Sequence, residues 1–264
     1  MVGPAEAPVV LPDSARFPLG AWDIRVAWPS GPAPAGGFPA LFVLDADTMF
    51  ATAVEAARMQ GQRSEVTGVE PTVIVGIGYP GGVEEAYRRR LEDYAPPVDG
   101  SGGADLFLDF IEHDLKPSLK QHFPIDDSRA ALFGHSLGGL CALYALFTRA
   151  ASFRSYVAAS PSIWWQDQMI LPFERRFIAQ KIARPTRLMI CVGALEQPGA
   201  GMSEAMRERV RQADMVRSAS SLAERLREEK PDLTTAYVEF ADENHGSVVP
   251  AAISRGLRFI FEEK

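Results

Sequence analysis

The chain has 264 residues, with 27 Lys and Arg against 34 Asp and Glu, for a formal charge of −7. An apolar fraction of 47% beside 23% charged residues is that of a globular chain and excludes disorder. The acidic balance, with no basic run longer than the three arginines at 88–90, speaks against nucleic acid as a partner. No apolar stretch reaches the roughly 20 residues that a bilayer crossing takes, so no membrane span is expected.

Residues 1–14 read as an N-terminal arm. They lack the basic start and continuous apolar segment of a secretory leader, so a cytoplasmic location is expected, or a periplasmic one where a leader has been removed. Strand-like runs at residues 22–28 and 40–44 precede a helical pattern at 48–59. A strand at 72–77 then leads to a helix at 104–122, where Leu106, Phe107, Phe110, Ile111, Leu115, Leu119 and Phe123 form a core-facing stripe. Strand 130–133, helix 140–148, strand 156–159, helix 167–183 and strand 187–192 follow. Segment 197–231 reads as a helical cap insertion built on a long charged helix, 204–229, that Pro231 ends. Strand 235–240 and helix 248–261 close the chain. Several strands are apolar at consecutive positions, as parallel strands covered on both faces are. The alternation therefore predicts a single α/β domain with a mainly parallel central sheet and helices on both faces. Cys141 and Cys191 lie in apolar runs and read as buried reduced thiols, not a disulfide or a metal site.

The stretch Ala130 to Leu140 (AALFGHSLGGL) reads strand, tight turn, helix, with Ser136 at the apex of a G-x-S-x-G pattern. Gly134 and Gly138 remove side chains that would clash in such a turn, and the hydroxyl is raised near a helix N-terminus. That is the setting of a nucleophile, and a serine nucleophile needs a base. Of the four histidines, His113 and His122 fall on the polar side of a surface helix, and His135 lies inside the turn with its side chain expected to point away from the hydroxyl. His245, in the loop after strand 235–240, is the expected base. Glu196, just past strand 187–192, is the expected acid, with Asp167 as its rival; Asp242 and Glu243 are too near His245 in sequence to reach its far nitrogen. The oxyanion donors expected are the backbone N–H groups of Leu137, after the nucleophile, and of Asp47, past strand 40–44.

These residues sit in a wider pattern: FVLDAD (42–47), VGIGYP (75–80), RRRLEDYAPP (88–97), GHSLGG (134–139), SPSIWW (160–165) and HGSVVPAAISRGLRFIF (245–261). Together they resemble the α/β-hydrolase esterases grouped with enterochelin (trilactone siderophore) esterases and esterase D, over residues 17–261. The resemblance implies Ser136 as nucleophile, His245 as base and Leu137 and Asp47 as oxyanion donors. It favours Glu196 as the acid, while some siderophore esterases rely on a Ser-His dyad. Ala46 stands where the family usually has Gly, and Ala95 where it usually has Thr.

The implied activity is ester hydrolysis through an acyl-enzyme on the trilactone backbone of catecholate siderophores of the ferric enterobactin type. Any iron then belongs to the substrate, and no cofactor or protein-bound metal is expected. The alternatives are a broad carboxylesterase acting on short acyl, feruloyl or S-formylglutathione-like esters, and a noncatalytic ligand-binding protein on a hydrolase scaffold. Arg88 and Arg89 are candidates to face an anionic ligand; Arg90 reads as an ion pair with Asp93 that pins its loop, or as a further substrate contact. Trp164 and Trp165 read equally as packing anchors or as a platform for flat aromatic rings.

Overall fold

A computed structural model describes residues 10–97 and 102–262. Residues 1–9, most of the expected N-terminal arm, lie outside the described residues. Eight strands form one sheet: β1 (Ser14–Leu19), β2 (Trp22–Ala27), β3 (Phe38–Val43), β4 (Val73–Gly78), β5 (Ile125–His135), β6 (Ser155–Ala159), β7 (Thr186–Gly193) and β8 (Leu233–Phe240). Their order is β1-β2-β4-β3-β5-β6-β7-β8. Strands β3 to β8 are parallel, while β2 runs antiparallel to both β1 and β4. The seven strands read from the sequence are all present.

The helices are α1 (Ala46–Gly61), α2 (Ser64–Thr67), α3 (Val83–Asp93), α4 (Ala104–Phe110), α5 (Lys116–His122), α6 (Leu137–Arg149), α7 (Trp165–Gln168), α8 (Leu171–Ile178), α9 (Glu204–Ala213), α10 (Met215–Glu229) and α11 (Val248–Phe261). One face of the sheet is covered by α1 and α11, whose Ala53, Val54, Ile253 and Leu257 pack on Leu41, Val43, Phe133 and Val157. The other face carries α4, α6 and α10, with Phe107, Leu143 and Leu222 in the same core as Phe42, Leu132 and Ile190. Alternate residues of a strand thus enter different cores, which is why the central strands are apolar at every position. None of the helices among the described residues is long and apolar enough to cross a membrane. Both cysteines are free and buried.

Five features depart from the sequence reading. Residues 14–19 form β1, whose Pro18 is tolerated because the strand lies at the sheet edge. Helix α3 covers the stretch that carries the three arginines; only its Ala86 is buried, so no apolar stripe announced it. The stripe along residues 104–122 holds, except that Leu106 is exposed. Its helix contains a π turn, Ile111–Leu115, joining α4 to α5. The helix expected at 167–183 spans only Leu171–Ile178, because the short segment α7 before it is a turn in which Gln166, Asp167 and Gln168 take left-handed φ values of 43°, 53° and 62°. Finally, the long helix expected at 204–229 breaks at Asp214 (φ 42°), and α10 packs against β7 and β8. That part of the segment read as a cap belongs to the layer flanking the sheet.

Candidate active site

The carboxyl ends of β3, β5, β6, β7 and β8 converge on one rim, the edge where sites of parallel sheets gather. At the end of β5 the chain turns sharply into α6 through Ser136, whose backbone adopts φ 59° and ψ −117°. The turn leaves no room for a side chain at Gly134, where a Cβ would stand 2.0 Å from the carbonyl oxygen of Gly138. The serine itself is pinned on both sides: its N–H donates to Ala159 O (2.9 Å), and its carbonyl accepts from the amides of Leu140 (3.0 Å) and Ser162 (3.1 Å).

The structure brings Ser136, His245 and Glu196 together. Ser136 Oγ lies 3.1 Å from His245 Nε2, and His245 Nδ1 lies 2.6 Å from Glu196 Oε2. His245 comes from the loop between β8 and α11, which Asn244 shapes by accepting from the amides of Gly246 (2.9 Å) and Ser247 (3.0 Å). That loop lies directly on the Glu196 loop: Leu195 N–H donates to Glu243 O at 2.9 Å, and a Cβ on Gly193 would stand 2.3 Å from the same carbonyl. Asp167 instead stands exposed in the left-handed turn after Trp165.

Glu196 is buried, and its second oxygen accepts from Ser160 Oγ (2.5 Å) and from the Gly193 amide (2.7 Å). Burial, the strongest single influence on this carboxyl, favours its neutral form. The hydrogen bonds from His245, Ser160 and Gly193 outweigh it and hold Glu196 below the usual carboxylate range. An ionised Glu196 accepts a hydrogen bond from His245 Nδ1–H, which fixes the tautomer and leaves Nε2 as the acceptor for the serine hydroxyl. Among the described residues His135 makes no side-chain hydrogen bond to Ser136, and its buried ring lies beside the imidazole of His245, 4.6 Å between centroids. Burial, with the adjoining His245, holds His135 down at about 4, so it is neutral at physiological pH.

The two expected oxyanion donors stand at the starts of α6 and α1. Leu137 is the first residue of α6, and its amide has no hydrogen-bond partner among the described residues, as the geometry of a helix start requires. The 44–47 loop sits beside that helix start, since a Cβ on Gly138 would meet Asp45 Oδ2 at 3.2 Å. The amides of Ala46 and Asp47, at the start of α1, are likewise unpaired among the described residues. The Asp47 side chain points elsewhere, pairing with Arg25 and accepting from the amide of Tyr79 at 3.3 Å.

The three consecutive arginines of α3 part company. Arg90 does not pair with Asp93; its guanidinium forks onto Asp45 (2.7 and 2.9 Å) and approaches His135 O at 3.4 Å. Its charge is consumed in a buried pair that ties α3 to the ends of β3 and β5. Arg89 takes Asp93 (3.7 Å) and Ala21 O (2.7 Å) and stacks over Tyr79 at 4.7 Å. Arg88 is solvent-facing and paired with Glu85 at 2.6 Å. The indoles of Trp164 and Trp165 meet edge to face at 5.8 Å; Trp165 packs against the core, whereas Trp164 is 40% exposed. Among the described residues no cluster of His, Cys, Asp and Glu is arranged to hold a metal ion.

In the stretch SPSIWW neither serine has an evident task from the sequence alone, yet Ser160 reaches Glu196 and Ser162 reaches Ser136. The available signal is their position: two hydroxyls flanking Pro161 at the carboxyl end of β6, the strand next to the one that leads into Ser136.

A family model described as "Putative esterase" matches residues 20–239. The ferri-bacillibactin esterase BesA of Bacillus subtilis is 38% identical to the chain over 255 residues, covering 90% of this chain and 84% of that protein. The siderophore triacetylfusarinine C esterase of Aspergillus fumigatus is 36% identical over 288 residues, covering 99% and 98%. Among solved structures, the BES protein of Bacillus cereus superposes with a TM-score of 0.87 at 35% identity, covering 98% of this chain and 99% of that one.

Proposed function

The chain belongs to the esterase family, and from that premise we propose that Ser136, His245 and Glu196 form its catalytic triad and that its substrate is an ester-linked siderophore. The observation that carries the reading is the continuous chain of contacts from Glu196 Oε2 to His245 Nδ1 (2.6 Å) and from His245 Nε2 to Ser136 Oγ (3.1 Å). Ser136 Oγ attacks the ester carbonyl as its proton passes to Nε2. The oxyanion that forms is held by the amides of Leu137 and Asp47, where each donor is worth about 2.7 to 4 kcal/mol of barrier. The imidazolium then protonates the departing alcohol, and a water molecule releases the acid by the same route reversed. Glu196 orients the imidazole and stabilises its charge without taking the proton.

The siderophore assignment is supported by the relatives, which act on ferri-bacillibactin and on triacetylfusarinine C. The bound iron belongs to such a substrate and takes no part in the mechanism. Trp164, exposed and two residues from Ser162, is the proposed platform for a flat ring of the substrate. The assay is hydrolysis of ferric enterobactin, ferri-bacillibactin and triacetylfusarinine C beside p-nitrophenyl acetate. A kcat/KM at least a hundredfold higher for one siderophore is expected; a higher value for the simple ester contradicts the substrate assignment and favours a broad carboxylesterase. Trp164→Ala is expected to raise KM for the siderophore while leaving p-nitrophenyl acetate turnover within about twofold.

A further inference from the structure

We infer that Ser162 is a fourth catalytic residue, whose hydroxyl donates a hydrogen bond to Ser136 Oγ while that oxygen carries developing charge; the inference rests on Ser136 being the nucleophile. Ser162 is 4% exposed, its amide donates to Ser136 O at 3.1 Å, and its Oγ lies 3.4 Å from Ser136 Oγ. Its hydroxyl has no other hydrogen-bond partner among the described residues.

The direction of that contact follows from proton accounting. Glu196, ionised, accepts a hydrogen bond from His245 Nδ1–H, so Nε2 bears a lone pair and accepts a hydrogen bond from the Ser136 hydroxyl. With its one proton committed to His245, Ser136 Oγ has only lone pairs left to offer Ser162, and Ser162 is the donor. During acylation the O–H bond of Ser136 breaks toward Nε2 as the Oγ–C bond forms. In deacylation a water O–H bond breaks toward Nε2 as the water oxygen attacks. Collapse then cleaves the C–Oγ bond, the electron pair returns to Oγ, and Nε2 hands the proton back. At both ends of this sequence charge builds on Oγ, and a fixed donor there stabilises the transition state more than the neutral ground state. The Ser162 proton stays on Ser162 throughout.

The same loop supplies Ser160 to Glu196 at 2.5 Å, so its two serines serve opposite ends of the relay. Ser160 touches no reacting atom and is a positioning residue.

The test is pre-steady-state hydrolysis of p-nitrophenyl acetate by the wild type, Ser162→Ala, Ser162→Thr and Ser136→Ala, each checked for an unchanged thermal unfolding midpoint. Loss of a hydrogen bond to a charged oxygen predicts a fall of about tenfold to a hundredfold in both the acylation and deacylation rates of Ser162→Ala. KM should stay within about threefold, and Ser162→Thr, which keeps the hydroxyl, should recover most of the rate. Ser162→Ala within twofold of the wild type, or Ser162→Thr as slow as Ser162→Ala, overturns the inference. If Ser136→Ala is inert while Ser162→Ala is unimpaired, this inference alone fails; if Ser136→Ala turns over normally, the triad reading fails with it.

Discussion

At Ser136 the backbone is held at φ 59° and ψ −117°, a conformation that glycine adopts freely and other residues rarely do. Such strain costs on the order of 1–3 kcal/mol and persists only where surrounding contacts over-determine it. Here those contacts are the bonds from Ser136 N–H to Ala159 O and from the Leu140 and Ser162 amides to Ser136 O. Ser136→Gly should therefore be more stable than Ser136→Ala by about 1 kcal/mol in urea unfolding, with both inactive, since glycine relieves the strain at some entropic cost. Equal stabilities would show that the turn is not strained. Glu196→Gln keeps the size of the side chain but removes the charge that stabilises the imidazolium, and kcat should fall by about 10³ to 10⁴, as for loss of a triad acid. A fall of less than tenfold would mean that Ser136 and His245 act as a dyad.

The serine and the histidine were legible because each lies at a strand end marked by glycine or by a short polar loop. Ser160 and Ser162 were not, because a buried hydroxyl has no sequence pattern until its acceptor is located.

At the scale of elements, one pair decides how the rim is assembled. Asp45, at the left-handed residue that ends the β3 turn, and Arg90, on α3, are both nearly buried. Their double hydrogen bond joins α3 to the end of β3, while Arg90 also leans on the carbonyl of His135, the residue before Ser136. Removing one partner of a buried pair leaves the other charge unpaired at a cost of about 3–5 kcal/mol. Arg90→Leu and Asp45→Asn should each lose about that much stability, and the double variant should lose less than the sum of the two. Additive losses would show that the two groups do not act as a pair.

This element was the least legible in the sequence. Helix α3 is charged over most of its length and buries only Ala86, so hydrophobic periodicity has nothing to register, and nothing in the sequence separates the nearby Asp93 or a substrate from the distant Asp45 as the partner of Arg90. β1 escaped for a related reason: a proline-bearing edge strand lacks the apolar run that betrayed the central strands. The left-handed turn at residues 166–168 sits inside a stretch of acceptable helix formers, and only its tertiary setting excludes helix there.

Across the whole molecule, parallel strands place the Ser136 turn, the Glu196 loop and the His245 loop at the same sheet edge although 109 residues separate Ser136 from His245. The acid dependence of stability follows from what that rim buries. His135 has a folded value of about 4 against an ordinary 6.5, so below pH 6.5 the unfolded chain binds a proton that the folded chain refuses. Stability is therefore lost as pH falls from about 6.5 toward 4, by on the order of 3 kcal/mol from this residue. Glu196, held below the ordinary carboxylate value, adds a loss in the same direction at lower pH. Urea unfolding from pH 7 to 4.5 should show a steeper decline for the wild type than for His135→Gln; identical slopes would remove His135 as the cause.

Rapid-quench mass spectrometry of the enzyme during turnover of a siderophore ester reads the chemistry at its centre. An acyl adduct on the peptide containing Ser136, absent from Ser136→Ala, which forms no product, is the predicted result. Product formation without an adduct at Ser136, and continued by Ser136→Ala, would contradict it.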